Sequence, residues 1–116
     1  MKISAVTLPT NCMSDSVRFY QRSGFELQRG GAHASFSTFR VGEQHINLRL
    51  VNRETPTQNE SLVIFFVDDV DAKYQSFLDA GLMPDFEPRD APWGERYFHI
   101  CDPYGNTLSF ARPIAS

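Results

Sequence analysis

The sequence predicts an α+β fold made of two βαβββ modules, and three observations lead there. Its 116 residues are 41% hydrophobic and 22% charged, the profile of one ordinary soluble globular domain. Two short apolar runs, Ile3–Leu8 and Leu62–Val67, each precede a stretch with helical spacing. Landmarks further on recur too: Gly24 answers to Gly81 and Gly42 to Gly105, at an offset of about half the chain.

Taken in order, the first run is a strand rich in β-branched residues. Asn11 or Cys12 opens the helix after it, Asp15 lies near its positive end, Val17, Phe19 and Tyr20 supply its apolar side, and Gly24 stops it. Extended segments are expected at 25–29, 34–41 and 44–51, the last two forming a hairpin through Val41-Gly42-Glu43-Gln44. In the second half Asp68 and Asp69 signal a helix start, and Val70, Tyr74, Phe77 and Leu78 fall on one helical face that ends at Gly81. Phe25 and Leu82, each just after a glycine, suit a left-handed cap whose next residue folds back on the last turn. Segments at 84–88, 95–101 and 106–112 complete the repeat, with a turn at Asp102-Pro103-Tyr104-Gly105-Asn106 in which Asp102 fixes the bend and Asn106 tolerates unusual backbone angles. The expected organisation is a single domain over 1–116: module one at 1–54, a polar linker at 55–59 containing Pro56, and module two at 60–116.

Charge and composition exclude several roles. A net charge of -3 leaves no broad basic surface for nucleic-acid phosphates. No apolar run approaches the roughly 20 residues that span a bilayer, and Met1–Ser4 lacks the long apolar stretch of a secretion signal. A cytoplasmic protein without nucleic-acid or membrane partners is expected. Cys12 and Cys101 are the only cysteines, far apart and without a CxxC pair, so neither a disulfide framework nor a structural zinc site is indicated. No GxSxG, HExxH or phosphate-cradling glycine loop occurs, and no general base is evident beside Cys12.

The segments SVRFYQRSGFEL, VDDVDAKYQSFLDAGL and PWGERYFHICDPYGNTLSF, in this order, resemble the vicinal oxygen chelate superfamily of glyoxalase I, bleomycin resistance proteins and extradiol dioxygenases. Trp93-Gly94, Arg96, Phe98 and Asp102–Asn106 look like the closing hairpin of its small bleomycin-resistance-like branch. The resemblance implies strongly curved mixed sheets, two modules paired around a cavity, and a homodimer. In metal-dependent members His or Glu side chains from the first and last strands of each module hold a first-row metal, which imidazole and carboxylate suit. Those positions carry over to Ala5, Asn47, Leu62 and Ser109. None is a His or a carboxylate, so glyoxalase I or ring-cleaving dioxygenase activity of the usual kind is disfavoured, and no metal or other cofactor is expected. A two-residue shift of register, which keeps a side chain on its face, offers His45, Glu60 and His99 as the alternative metal set.

Strand alternation assigns a pocket lining instead. Ile46, Leu48 and Leu50 should pack on a helix, leaving His45, Asn47 and Arg49 on the cavity side, with Phe36, Thr38 and Arg40 beside them. In the second half Phe98, Ile100, Leu108 and Phe110 pack, leaving Tyr97, His99 and Cys101, and Thr107, Ser109 and Ala111, on the open side. Trp93, between Pro92 and Gly94, sits in a turn where it covers a ligand, a dimer partner or its own hairpin. The expected ligand-binding residues are thus Phe36, Thr38, His45, Asn47 and Arg49 from the first module, and Leu62, Trp93, Tyr97, His99 and Ser109 from the second. No residue is assigned a catalytic role.

Two functions compete on this basis. One is a homodimeric protein that sequesters a small organic molecule or antibiotic without metal, as bleomycin resistance proteins do; against bleomycin itself stands the modest acidity, since a cationic glycopeptide favours a strongly negative cleft. The other is a lyase, isomerase or dioxygenase-type enzyme with a non-standard metal site, in which His45, His99 and Tyr97 are the acid-base candidates.

Overall fold

The computed structural model describes residues 1–56 and 59–114. Thr57 and Gln58, at the centre of the expected linker, lie outside the described residues. The chain forms β1 (Ala5–Thr10), α1 (Met13–Arg22), β2 (Glu26–Arg29), β3 (Phe36–Val41) and β4 (Gln44–Leu50), and then β5 (Leu62–Phe66), α2 (Val70–Asp79), β6 (Arg89–Asp90), β7 (Glu95–Cys101) and β8 (Thr107–Pro113). Each set is a βαβββ module with one four-stranded sheet, ordered β1-β4-β3-β2 and β5-β8-β7-β6. The β1–β4 and β5–β8 pairs are parallel and the others antiparallel, as expected when a helical crossover joins the first strand to the rest. Two compact units result: Met1–Gln58 with Asp102–Gly105, and Asn59–Cys101 with Asn106–Ser116.

Both helices stop in the same way. Ser23 and Ala80 cap the two helices after Arg22 and Asp79, and Gly24 (φ +96°) and Gly81 (φ +78°) follow in the left-handed region. Phe25 N–H then reaches back to Tyr20 O at 3.0 Å and Leu82 N–H to Phe77 O at 2.9 Å, which is the Schellman pattern. The Phe25 ring seals the first cap, 5.6 Å from Tyr20. The starts differ. Asp69 accepts from Ala72 N–H at 3.0 Å, whereas Cys12 makes no side-chain cap, and buried Thr10 and Ser16 bond to each other at 2.6 Å beneath the α1 entrance.

The core of the first unit joins α1 to its sheet. Tyr20, Phe39 and Leu48 are fully buried, and Leu8, Val17 and Ile46 nearly so. In the second unit the buried rings of Phe77, Phe98 and Phe110 lie 5.0–5.6 Å apart in edge and stacked contacts, geometries that aromatic quadrupoles favour. Leu78, expected on the buried face of α2, is 38% exposed, so Val70 and Phe77 carry that face.

Three expected elements are corrected. The first strand runs Ala5–Thr10 rather than from Ile3, because its extent follows its pairing with β4, from Ala5 opposite His45 to Thr10 opposite Leu50; Pro9 is tolerated because β1 is an edge strand. The strand expected at 84–88 is a bend. Pro84 and Pro88 have no N–H for a ladder, so that stretch keeps one backbone bond, Asp85 N–H to His99 O at 2.8 Å, before the two-residue β6. At the closing turn Asp102 accepts from Tyr104 N–H and Gly105 takes the positive φ, but no described residue other than glycine does so. Asn106 serves through its side chain, whose Oδ1 accepts from Asn59 Nδ2 and Ser61 Oγ at 3.0 Å each.

Candidate functional site

In the first unit Ile46 and Leu48 turn into the core while His45, Asn47 and Arg49 occupy the other face of the sheet, which no helix of that unit covers. Leu50, the last residue of β4, is 43% exposed instead of packed. Thr38 sits opposite Asn47 and Phe36 opposite Arg49 on β3. A depression of about 340 Å³ opens here, with Phe36, Thr38, His45 and Asn47 in its lining together with Ala5, Gln28 and Arg29. Arg49 is on the same face but does not line it.

Two of the lining residues, Thr38 and Asn47, belong to an oriented hydrogen-bond chain that continues to Thr7, outside the lining. Thr38 Oγ1 donates to Asn47 Oδ1 at 2.8 Å, and Asn47 Nδ2 donates to Thr7 Oγ1 at 3.2 Å. Such mutual bonding holds polar groups in place before any ligand arrives. Sequence reasoning misses Thr7, Gln28 and Arg29. The signal for the last two is the Gly30-Gly31 pair, since glycine at a strand end marks a bulge or a close backbone approach.

In the second unit Leu62 (50% exposed), Ile64 (55%) and Phe66 (67%) present a row of apolar side chains on the edge strand β5. On β7, Tyr97 and His99 stand 5.2 Å apart, and the Phe86 ring lies 5.5 Å from the first and 5.2 Å from the second. Arg89 covers Phe86 at 3.7 Å. Trp93 packs over its own hairpin, its ring 5.5 Å from Tyr97 and its Nε1 donating to Glu95 at 2.9 Å, yet it stays largely exposed. Burial pushes the His99 imidazole below its usual pKa, with Arg89 acting in the same sense and Asp85 opposing.

Ser109 and Ala111, expected to face the open side, are almost fully buried. Their strand β8 is central, and the small Ser109 side chain lies between Ile64 and His99 on its neighbours. Cys101 is held by Asp85, its Sγ 3.5 Å from Oδ2, rather than by His99. Arg96, part of the hairpin motif, acts structurally. Its guanidinium takes both Asp71 carboxylate oxygens at 2.9 Å and Asp90 at 3.0 Å, tying the first turn of α2 to the sheet.

The side chains do not fit a superfamily metal. Ala5 and Leu62 offer no donor atom, Asn47 has both its amide atoms engaged by Thr38 and Thr7, and Ser109 is a hydroxyl. Of the shifted set, His45 belongs to the first unit and Glu60 and His99 to the second. Among the described residues no three His, Cys, Asp or Glu side chains come together as a metal set.

Known proteins share this pair of βαβββ sheets. The family model of the glyoxalase/bleomycin resistance protein/dioxygenase superfamily matches residues 2–110, and the chain belongs to that superfamily. Among solved structures it is similar to a glyoxalase/bleomycin resistance protein/dioxygenase from Nocardioides, with 19% identity, a TM-score of 0.84, and coverage of 100% of this chain and 85% of that one. It is also similar to the bleomycin resistance determinant encoded on transposon Tn5, at 18% identity and TM-score 0.82, covering 97% and 98% of the two chains. At that identity the likeness concerns the fold alone. An uncharacterized protein of Mycobacterium bovis is 42% identical over 48 residues, 41% of this chain and 32% of the relative, so the match spans about a third of that protein's length. Among the described residues no helix is long and apolar enough to cross a membrane.

Proposed function

We propose that this member of the superfamily is a metal-independent small-molecule-binding protein, a homodimer that sequesters an organic ligand or antibiotic in its cavity. The observation that carries the reading is the replacement of metal donors by a pre-bonded polar set: the Thr38–Asn47–Thr7 chain lies beside the exposed Phe36 ring, with no carboxylate or imidazole at the superfamily's ligand positions. A few fixed polar groups next to apolar surface orient an organic molecule and supply affinity. Arg49, Leu62, Trp93, Tyr97, His99 and Ser109 remain in the proposed binding set with Phe36, Thr38, His45 and Asn47. Ser109 acts there by its small size, since its burial rules out a broad contact. The dimer is supported by the exposed row Leu62, Ile64 and Phe66 on one face of the sheet, because a monomer rarely leaves a contiguous apolar row open to water.

The test is metal content together with a ligand screen on protein purified without a histidine tag. The expected result is well under one equivalent of Ni, Zn, Fe, Mn or Co per chain after incubation with each, and a rise in melting temperature with some organic compounds. Close to one metal per chain, lost in His45→Ala along with a measured activity, would replace this reading by the metal-enzyme one.

A further inference from the structure

We infer that the depression on the first unit's sheet selects an organic oxyanion, a carboxylate or a phosphate ester with a flat apolar part, and that Arg29 determines this selectivity. The inference rests on the small-molecule reading above and adds the charge class of the ligand.

The register of β2 places Arg29. Glu26 pairs with Arg40 and Leu27 with Phe39, but Arg29 then pairs with Thr38, so the ladder shifts between Leu27 and Arg29. Plain alternation would put Arg29 on the core side with Leu27. With Gln28 as the extra residue, Arg29 instead shares the open face with Thr38 and Asn47 and lines the depression. A bulge that re-aims one side chain into a pocket is a recurrent device of binding sites.

The bulge is also anchored. Gly30 has φ +84°, and a Cβ there would come within 2.4 Å of Phe36 O and 2.8 Å of Ser37 Cα. Gly31 N–H donates to Ser37 Oγ at 2.9 Å, and the same hydroxyl donates to Gly31 O at 3.3 Å. Ser37 is fully buried, so this clamp ties the end of β2 to the strand that carries Phe36.

Charge and hydrogen-bond direction agree with an anion. The open face of this sheet carries Arg29, Arg40 and Arg49 against a single carboxylate, Glu26, which Arg40 pairs at 3.0 Å. The chain as a whole has a net charge of -3, so the basic face is a local arrangement. Thr38 spends its hydroxyl proton on Asn47 Oδ1 and Asn47 spends one amide N–H on Thr7, which leaves the second Asn47 N–H as a donor in the lining. Asn47 therefore offers a donor to a ligand oxygen, the Arg29 fork offers charge-assisted bonds, and Phe36 offers a flat apolar wall.

The test uses matched compounds: benzoate, naphthalene-2-carboxylate and phenyl phosphate against benzamide, naphthalene-2-carboxamide and benzyl alcohol. Each is titrated by calorimetry at low salt into the full chain, Arg29→Gln, Arg29→Lys and, as a control, Arg18→Gln on the exposed side of α1. The expected result is an affinity for the anions about tenfold above that for their neutral partners. Arg29→Gln should erase that preference without weakening the neutral compounds, Arg29→Lys should keep part of it, and added salt should reduce it. A gain confined to phenyl phosphate, or to the carboxylates, identifies the oxyanion. Equal affinity for charged and neutral partners, or an unchanged preference in Arg29→Gln, overturns the inference while leaving the small-molecule reading in place. If no compound in the set binds at millimolar concentration or raises the melting temperature, both fall.

Discussion

Replacing Tyr20 by Phe should destabilise the protein by about 2 kcal/mol, the value of a buried hydrogen bond to a charged group. The Tyr20 hydroxyl donates to Asp102 Oδ2 at 2.7 Å; the tyrosine is fully buried and the aspartate 4% exposed. The substitution removes only the oxygen, so the ring contacts with Phe19, Phe25 and Phe39, all within 5.6 Å, remain and no cavity term is expected. Urea denaturation followed by circular dichroism should show the midpoint falling by about 1 M with an unchanged slope. A cycle with Asp102→Asn should give a coupling energy of about 1–2 kcal/mol between the two positions. Alkaline pH supplies a second readout. Burial, and then the charge and hydrogen bond of Asp102, hold the Tyr20 phenol well above its usual pKa. A group raised in the folded state stabilises fully below its unfolded pKa, about 10, and loses that contribution as pH climbs beyond it. The advantage of wild type over Tyr20→Phe should therefore be constant near neutrality and shrink above about pH 10. A Tyr20→Phe midpoint equal to wild type, or a coupling energy near zero, would refute the reasoning.

Gly30→Ala should cost at least about 2 kcal/mol, because it adds a backbone clash to the left-handed penalty, whereas Gly42→Ala (φ +60°, open space) should cost only the roughly 1–2 kcal/mol of the conformation itself; thermal melts compare the two directly. Asp69→Ala removes the α2 cap and should lower stability by about 1 kcal/mol in the same assay, while an unchanged melt would mean the bond to Ala72 contributes nothing. His99, depressed by burial, favours its neutral form in the folded state, so stability should decline as pH falls below about 6.5; proton NMR should place its titration midpoint below that of an unperturbed imidazole. Ile64→Lys on β5 should shift the light-scattering mass from two chains to one, and a mass already that of one chain in wild type would remove the proposed dimer.

Local pattern was enough for the class of fold. Alternation separated Ile46 and Leu48 from His45 and Asn47, and Phe98 and Ile100 from Tyr97 and His99, because a strand's two faces are set by a period of two wherever one face is buried. Helix ends at Gly24 and Gly81 were legible because a Schellman cap closes within six residues of the chain. The repeat of these signals defined the two βαβββ modules, and the absence of His or carboxylate at Ala5, Asn47, Leu62 and Ser109 is a property of the sequence itself.

Tertiary structure decided what depends on a partner distant in the chain. The shift that turns Arg29 to the open face exists only as a pairing of β2 against β3, and no periodicity within Glu26–Arg29 contains it. Ser109 is buried because β8 is the inner strand flanked by Ile64 and His99, a consequence of strand order rather than of serine. Tyr20 and Asp102 meet across 82 residues, where sequence registers only a helix side chain and a turn aspartate. Periodicity reports which face a side chain takes within its own element; the neighbour it meets there is fixed by register and strand order, which only the folded chain possesses.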